Sequence, residues 1–162
     1  RPPRARRARL LDRRVLGRAF GFLGPIEAVA SMAMLPLGAA LFFGWPEVGL
    51  PEEGLTIETL STMVFAAIVL MQMANAFECR STPSSILSIG PFSNTLLVWA
   101  VAAELGALLV FVYVAPVADL LGQQPLSLEE WLPVLAAPFV LLGLEEARKA
   151  VVRGRVRGGW RR

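Results

Sequence analysis

The sequence predicts an all-α membrane protein, a bundle of four transmembrane helices with both termini in the cytoplasm. Three stretches carry no charged residue: residues 28–46 and 59–77, with 19 residues each, and residues 81–103, with 23. A helix of 19 residues is about 28 Å long, close to the thickness of the hydrocarbon core of a bilayer. Charged residues make up 18% of the chain and apolar residues 55%, whereas a soluble domain has about 25% charged residues. Lipid is therefore the expected surrounding of most of the chain.

The distribution of charge predicts the topology. Basic residues fall in three places, with eight arginines in residues 1–18, Arg80 alone, and seven arginines and lysines in residues 148–162. Two intervening segments contain acids and no basic residue, with Glu47, Glu52, Glu53 and Glu58 in the first and Asp119, Glu129 and Glu130 in the second. Because cytoplasmic segments of membrane proteins are enriched in Lys and Arg, this pattern indicates four crossings.

The predicted elements follow in order along the chain. Residues 1–18 form a basic cytoplasmic lead-in, residues 19–152 the transmembrane bundle, and residues 153–162 a basic cytoplasmic tail. The four spans cover about residues 19–43, 58–79, 92–114 and 128–149. Pro25 and Pro36 are expected to kink the first span, since proline interrupts the hydrogen bonds of a helix.

The fourth span is the least apolar of the four. A capping box, Ser127 to Glu130, opens it, and only 14 uncharged residues, 131–144, follow. The helix can therefore cross only if Glu145 and the acid after it lie at the cytoplasmic boundary. Arg148 and Lys149 come three and four positions after Glu145, so that both can pair with it on one helical face.

Two amides interrupt the apolar second span in the stretch VLMQMANAFECRS. Gln72 and Asn75 are three residues apart and project from one side of a helix. An amide facing lipid without a partner is unfavourable, so that both should face protein or water. Two interpretations remain open: a hydrogen bond between helices, worth roughly 0.6 kcal/mol, or side-chain oxygens that coordinate a hard cation.

Two acids also fall within predicted spans. Glu104 lies in the middle of the third span and Glu27 near the cytoplasmic third of the first. Carboxylates at such positions are rare and usually functional, although a hydrogen-bonded acid can also hold two helices in register. For Glu27, which follows Arg18 near the boundary, the structural role is favoured; for Glu104 both roles remain open.

The composition excludes several classes of function. The chain has no His and a single Cys, so that neither a disulfide framework nor a zinc site is expected. It contains no phosphate-binding glycine loop and no pairing of a nucleophile with a base, so that no catalytic residue and no metal ligand beyond the cation candidates is predicted. The sequence pI near 10.0 does not indicate nucleic-acid binding, because basic flanks of membrane spans are topology signals that can contact anionic lipids.

Four stretches of the chain, in their order and spacing, resemble a known family. They are TMVFAAIVLMQMANAFECRS, SILSIGPFSNTLLVWAV, LLVFVYVAPVADLL, and PLSLEEWLPVL followed by GLEEARK. Together they are similar to the C-terminal transmembrane region, helices seven to ten, of P-type cation-transporting ATPases. The resemblance covers about residues 13–155. The Arg-rich lead-in and FGFLGPIEA resemble bacterial members, which implies a bacterial plasma membrane as the location.

The resemblance implies roles for several residues and partners. Gln72 stands where calcium-pump relatives carry a carboxylate on the eighth helix, and Asn75 where another relative has an acidic ligand, which makes both candidate auxiliary cation ligands. The phosphorylated aspartate of the DKTG motif, the nucleotide domain and the main ion-binding helices would lie upstream, so that ATP and Mg²⁺ are implied for the parent pump and not for this chain. Its expected partners are membrane lipids, those upstream domains and the transported cation.

Two other functions fit the same residues. The chain could be an independent four-span scaffold or assembly subunit, because the predicted bundle is topologically complete. It could also be a small channel lined by Gln72, Asn75 and Glu104. The scaffold should insert and assemble without upstream helices, and the channel should pass ions on its own.

Overall fold

The computed structural model describes residues 13–44, 55–80 and 90–159, and these residues are all-helical apart from short connections. The helices are α1 (Arg13–Arg18), α2 (Gly24–Phe42), α3 (Leu55–Glu78), α4 (Thr95–Tyr113), α5 (Ala115–Leu121) and α6 (Leu128–Gly159). A π-helical turn, Ala19–Leu23, joins α1 to α2, and a 3₁₀ turn, Pro91–Ser93, precedes α4. Most of the predicted lead-in and the last residues of the predicted tail lie outside the described residues.

Three of the helices are long and apolar enough to cross a membrane. Their candidate spans are Leu16–Phe42, Ile57–Glu78 and Thr95–Tyr113. The helix α6, predicted as the fourth span, is not among them, although it is the longest helix in the described residues. The reason is its charge, because only 14 uncharged residues, 131–144, lie between the acids Glu129 and Glu130 and the acids Glu145 and Glu146.

The helix α3 lies at the centre of the bundle and packs against α2, α4 and α6. Half of the residues in its apolar segment are buried, against 22% for the first candidate span and 11% for the third. Its buried face has the spacing of three and four residues that a helix face requires, and it comprises Leu60, Met63, Ala67, Met71 and Ala74. The facing residues of α6 are Val134, Ala137 and Leu141, all buried.

A glycine allows α2 to approach α3 closely. A Cβ atom on Gly38 would lie 2.7 Å from Cδ2 of Leu60 and 2.9 Å from Sδ of Met63. Both neighbours are fully buried. Small residues are typical of contacts between membrane helices because they bring the two backbones together.

The outward faces of the helices are strongly apolar. Large exposed apolar side chains are most frequent on α4 and α6 and include Leu96, Trp99, Leu128, Leu132 and Phe139. A soluble protein rarely exposes so much continuous apolar surface. The bundle is therefore suited to an apolar surrounding of lipid or further helices.

The π-helical turn adapts the first span to Pro25. The N–H of Gly24 donates to the carbonyl of Ala19, five residues earlier, where an α-helix would use the residue four earlier. Because the turn contains one extra residue, it rotates the side chains that follow by about 100° around the helix axis. The second proline, Pro36, lies inside α2.

Hydrogen bonds join the helices and the α5–α6 connection at the end of the bundle where α3 starts, called here the Glu58 end. Gln124 donates from its side chain to Oε2 of Glu58 at 2.7 Å and from its backbone to the hydroxyl of Thr62 at 2.9 Å. The hydroxyl of Tyr113 donates to the carbonyl of Leu126 at 2.8 Å. These bonds attach the connection between α5 and α6 to the start of α3 and to the end of α4.

The predicted capping box at the start of α6 is confirmed. The backbone N–H of Ser127 donates to Oε2 of Glu130 at 2.7 Å, and the N–H of Glu130 donates to the hydroxyl of Ser127 at 3.4 Å. This reciprocal pair satisfies two of the donors that a helix start leaves free.

Candidate cation site

A groove between α2 and α3 brings together two of the polar residues singled out in the sequence. Glu27 on α2 and Gln72 on α3 line the same cavity of 350 Å³. Its remaining lining residues are Gly24, Ala28, Ser31, Met32 and Ile68. The lining is mostly apolar, and the carboxyl group of Glu27 and the amide of Gln72 are its largest polar groups.

The carboxyl group of Glu27 is incompletely satisfied in this groove. Its Oε1 atom is buried and has no hydrogen-bond partner among the described residues. Ser31 does not supply one, because its hydroxyl donates to the backbone carbonyls of Glu27 at 2.8 Å and Ala28 at 3.2 Å. A buried polar atom without a partner is unfavourable. A bound proton, a cation or a hydrogen-bond donor from outside the described residues would satisfy this carboxyl group.

The depth of the groove follows from the contacts at the other end of the bundle, where α3 ends, called here the Glu78 end. The guanidinium group of Arg18 donates to the backbone carbonyl of Glu78 at 3.3 Å, so that the two residues lie at the same end of the bundle, within the length of one arginine side chain. Glu27 follows Arg18 by nine residues, a rise of about 13 Å, and Gln72 precedes Glu78 by six residues, about 9 Å. Both groove residues lie well inside the apolar part of the bundle.

The two amides of α3 have different surroundings. The side chain of Gln72 is exposed in the groove and makes no hydrogen bond to any described residue. Asn75 is half-buried, does not line the groove, and accepts from the thiol of Cys79 through Oδ1 at a distance of 3.6 Å. The structure therefore brings Gln72 to Glu27 and leaves Asn75 closer to the Glu78 end.

Glu104 is not part of this arrangement. Its side chain is exposed on α4 and does not line the groove. No atom of the described residues approaches within 4 Å of the place where a Cβ on the nearby Gly106 would lie. Within the described residues, no group of three or more His, Cys, Asp and Glu side chains could hold a metal ion alone. A cation in the groove would therefore need further ligands from outside these residues.

A cluster of six charged side chains occupies the Glu78 end, and we call it the charge cluster. It joins three cations to three acids from α1, α3 and α6: Arg18, Arg148, Lys149, Glu78, Glu145 and Glu146. Of these, Glu78 and Glu145 have no exposed surface and Lys149 has 1%. Buried charges require partners of opposite sign, and the equal numbers of the two signs provide them.

One half of the charge cluster surrounds Glu145. Arg148 donates to both of its carboxylate oxygens at 2.7 Å, which confirms the predicted pair. Arg18 adds a second guanidinium at 2.6 Å from Oε1. The guanidinium of Arg148 also lies 5.9 Å from the ring centre of Phe22, within the range of a cation–π contact.

The other half of the charge cluster differs from the sequence prediction. Lys149 does not pair with Glu145; it forms an ion pair with Glu78 and a longer one, of 3.2 Å, with Glu146. The sequence did contain a signal for Glu78. This residue follows Ala74 by four positions and so continues the buried face of α3, where an acid requires a cationic partner.

Comparisons with known proteins agree with the resemblance. The family model described as "Cation transporting ATPase, C-terminus" matches residues 1–151. Calcium-transporting ATPase 4, endoplasmic reticulum-type, of Arabidopsis thaliana is 35% identical over 101 residues, which are 62% of this chain and 9% of that protein. Calcium-transporting ATPase type 2C member 2 of Rattus norvegicus is 28% identical over 127 residues, 78% of this chain and 12% of that protein. Calcium-transporting ATPase 1 of Yarrowia lipolytica is 30% identical over 104 residues, 64% of this chain and 11% of that protein.

The chain thus spans about a tenth of the length of these relatives. The family model, in contrast, covers nearly all of the chain, and the apolar helices are those of an integral membrane segment. The chain belongs to the cation-transporting ATPase C-terminal family and forms a C-terminal membrane module of a P-type cation pump.

Proposed function

We propose that this module holds the ion-binding helices of an ATP-driven pump in place and lends Gln72 and Asn75 to the cation site as auxiliary oxygen ligands. In this proposal the span made of α1 and α2 is the seventh helix of the pump, and α3, α4 and α6 are the eighth, ninth and tenth. All four cross the membrane and both termini are cytoplasmic. The charge cluster then lies at the cytoplasmic boundary.

The observation that carries the proposal is the position of Gln72. Its amide lies in an open groove on the flank of the bundle, at the depth of the apolar helices, without a hydrogen bond to any described residue. A residue that joined α3 to another described helix would show such a bond. An open groove with a free amide oxygen instead suits helices of the pump that lie outside this chain.

The ATP-driven step belongs to other parts of the parent pump. Among the described residues, the acids of the Glu78 end are bound to Arg and Lys side chains, and no other group of acids could hold Mg²⁺. These residues do not fit Mg²⁺-bound ATP. Phosphorylation and dephosphorylation elsewhere in the pump would alternate the access to the site, while this chain supplies ligands and support.

The relatives named above are calcium-transporting, and Ca²⁺ is therefore the cation that we propose for this pump. Calcium takes six to eight oxygen ligands, including carboxylates and amide carbonyls. The location that we propose is a bacterial plasma membrane, on the basis of the Arg-rich first segment; the named relatives are eukaryotic and do not support that part of the proposal.

Replacement of Gln72 tests the proposed role of this module. We expect Q72A in the parent pump to weaken the Ca²⁺ activation of phosphorylation by about tenfold, equivalent to about 1.4 kcal/mol. The matched control is S61A, because Ser61 is an exposed polar residue on α3 outside the groove. An unchanged Ca²⁺ affinity together with a lower thermal stability of Q72A would instead identify Gln72 as a contact between helices.

An independent scaffold remains the second candidate, and one observation favours it. The charges of the cluster are balanced within the described residues, so that α1, α3 and α6 need no further charged group at that end. The two functions differ in co-expression experiments. A scaffold reaches the membrane in stable form alone, whereas a pump module is degraded unless the upstream helices are produced with it.

A further inference from the structure

We propose that Glu27 is a direct ligand of the same divalent cation that Gln72 contacts, and that it supplies the negative charge of this part of the site. The proposal rests on the proposed function, and it adds a ligand from the first span to a site that the sequence placed on the second. The probe for it is Ca²⁺.

The groove is formed by two helices. Glu27 and Gln72 lie on different helices, and the packing of α2 against α3 directs both into one cavity of 350 Å³. Carboxylate and amide oxygens are both ligands of Ca²⁺. The amide alone would offer one neutral oxygen, which is a weak ligand for a doubly charged ion in an apolar surrounding. The carboxylate of Glu27 would compensate part of that charge.

One carboxylate oxygen of Glu27 is unsatisfied within the described part of the chain. Oε1 of Glu27 is buried without a hydrogen-bond partner among the described residues, and the hydroxyl of Ser31 is turned to the backbone. The two acids that are fully buried, Glu78 and Glu145, each have a cationic partner. Glu27 is half-buried and has no cationic side chain among the described residues as a partner, so that it is suited to a cation that arrives from outside.

The local geometry of the first span also favours a site at Glu27. The π-helical turn ends immediately before α2, and such turns occur frequently at functional sites. Its extra residue determines which side of α2 carries Glu27. Gly24, at the junction, lines the groove together with Glu27. A Cβ there would lie only 3.1 Å from the carbonyl of Ala19, so that glycine suits both the turn and the groove.

The test uses the full-length pump in detergent, with radioactive Ca²⁺ at equilibrium and Ca²⁺-activated phosphorylation as the two measurements. We expect E27Q to lower the apparent Ca²⁺ affinity by tenfold or more, since it removes the charge and keeps the shape, and E27D to retain part of the affinity. The charge-matched control is E129Q, because Glu129 is an exposed acid on the first turn of α6. That variant should bind Ca²⁺ like the unmodified pump.

A second measurement needs no variant and so does not depend on the folding of E27Q. A hydrophobic carbodiimide modifies carboxyl groups in apolar sites, and mass spectrometry of the peptide that contains Glu27 measures the extent. We expect saturating Ca²⁺ to protect Glu27 and Mg²⁺ at the same concentration to protect it much less. Equal modification of Glu27 with and without Ca²⁺ would overturn the proposal.

The outcomes separate this inference from the proposed function. If E27Q binds Ca²⁺ normally while Q72A binds it weakly, Glu27 is not a ligand and the proposed function stands. If the unmodified pump shows neither Ca²⁺ binding nor Ca²⁺-activated phosphorylation, both are wrong.

Discussion

Removal of the ammonium group of Lys149 should destabilise the Glu78 end of the bundle more than any other single change in that region. Lys149 is 1% exposed and its partner Glu78 is fully buried. In Glu78, Oε1 already lacks a hydrogen-bond partner among the described residues, and Oε2 is the atom that binds Lys149. The variant K149M keeps most of the side-chain volume and leaves this carboxylate buried without its cation. Removal of one partner from a buried ion pair destabilises by about 3–5 kcal/mol.

The double variant E78Q/K149M separates the ion pair from packing. It removes both charges, and replacement of a whole buried pair by neutral groups is often close to neutral in stability. We therefore expect the double variant to be more stable than K149M alone, with a coupling energy of about 2–3 kcal/mol in the cycle. The control is E146Q, since Glu146 lies 3.2 Å from Lys149 and its side chain is 28% exposed. Its effect should stay below about 1 kcal/mol.

Hydrogen exchange followed by mass spectrometry is the suitable assay, because unfolding of a pump with several domains is not two-state. The backbone amides between Leu141 and Val151 report local opening of α6. A loss of 3 kcal/mol corresponds to exchange that is about a hundredfold faster. Exchange in K149M at the rate of the unmodified protein, or a double variant as unstable as the sum of the two single ones, would refute the reasoning.

Two further predictions concern packing and the Glu58 end. G38I should destabilise the contact of α2 with α3 by about 1–3 kcal/mol, because its side chain would enter the space of Leu60. The measurement is the temperature at which the detergent-solubilised pump loses its monodisperse peak in size-exclusion chromatography. An unchanged temperature would contradict the close approach of the two helices. Y113F removes the hydroxyl that donates to Leu126 and accepts from Nε1 of Trp131 at 2.7 Å. The backbone amides of the α5–α6 connection should therefore exchange about fivefold faster or more. Equal exchange rates in both proteins would show that these bonds do not hold the connection.

The features that the sequence predicted well depend on neighbours along one helix. The capping box and the pair of Glu145 with Arg148 both join residues three positions apart, and a helix brings such residues together whatever surrounds it. The pair of Glu78 with Lys149 joins residues 71 positions apart. It depends on how α3 packs against α6, and the sequence marks only that Glu78 continues a buried face.

The candidate site likewise combines a residue that a local pattern singles out with a residue that only the packing of the helices brings close. The polarity of Gln72 within an apolar run was enough to single it out, and the role of Gln72 and Asn75 as ligands remains a prediction. The proximity of Glu27 depends on the π-helical turn and on the contact of α2 with α3, which no local pattern encodes. Glu104 was also singled out in the sequence, with a functional and a structural role both open, yet it lies exposed on α4, because the helix face that it occupies contacts none of the described helices.

The proposed topology requires α6 to cross the membrane, although its charged residues exclude it from the apolar spans. Leu128 and Val151 are exposed near its two ends and are about 34 Å apart along the helix axis, enough to cross the hydrocarbon core. In a C79S background, single cysteines at these two positions can be labelled in intact cells with a membrane-impermeant maleimide. We expect L128C to react from outside and V151C to react only after permeabilisation. Reaction of both cysteines from the same side would contradict the account.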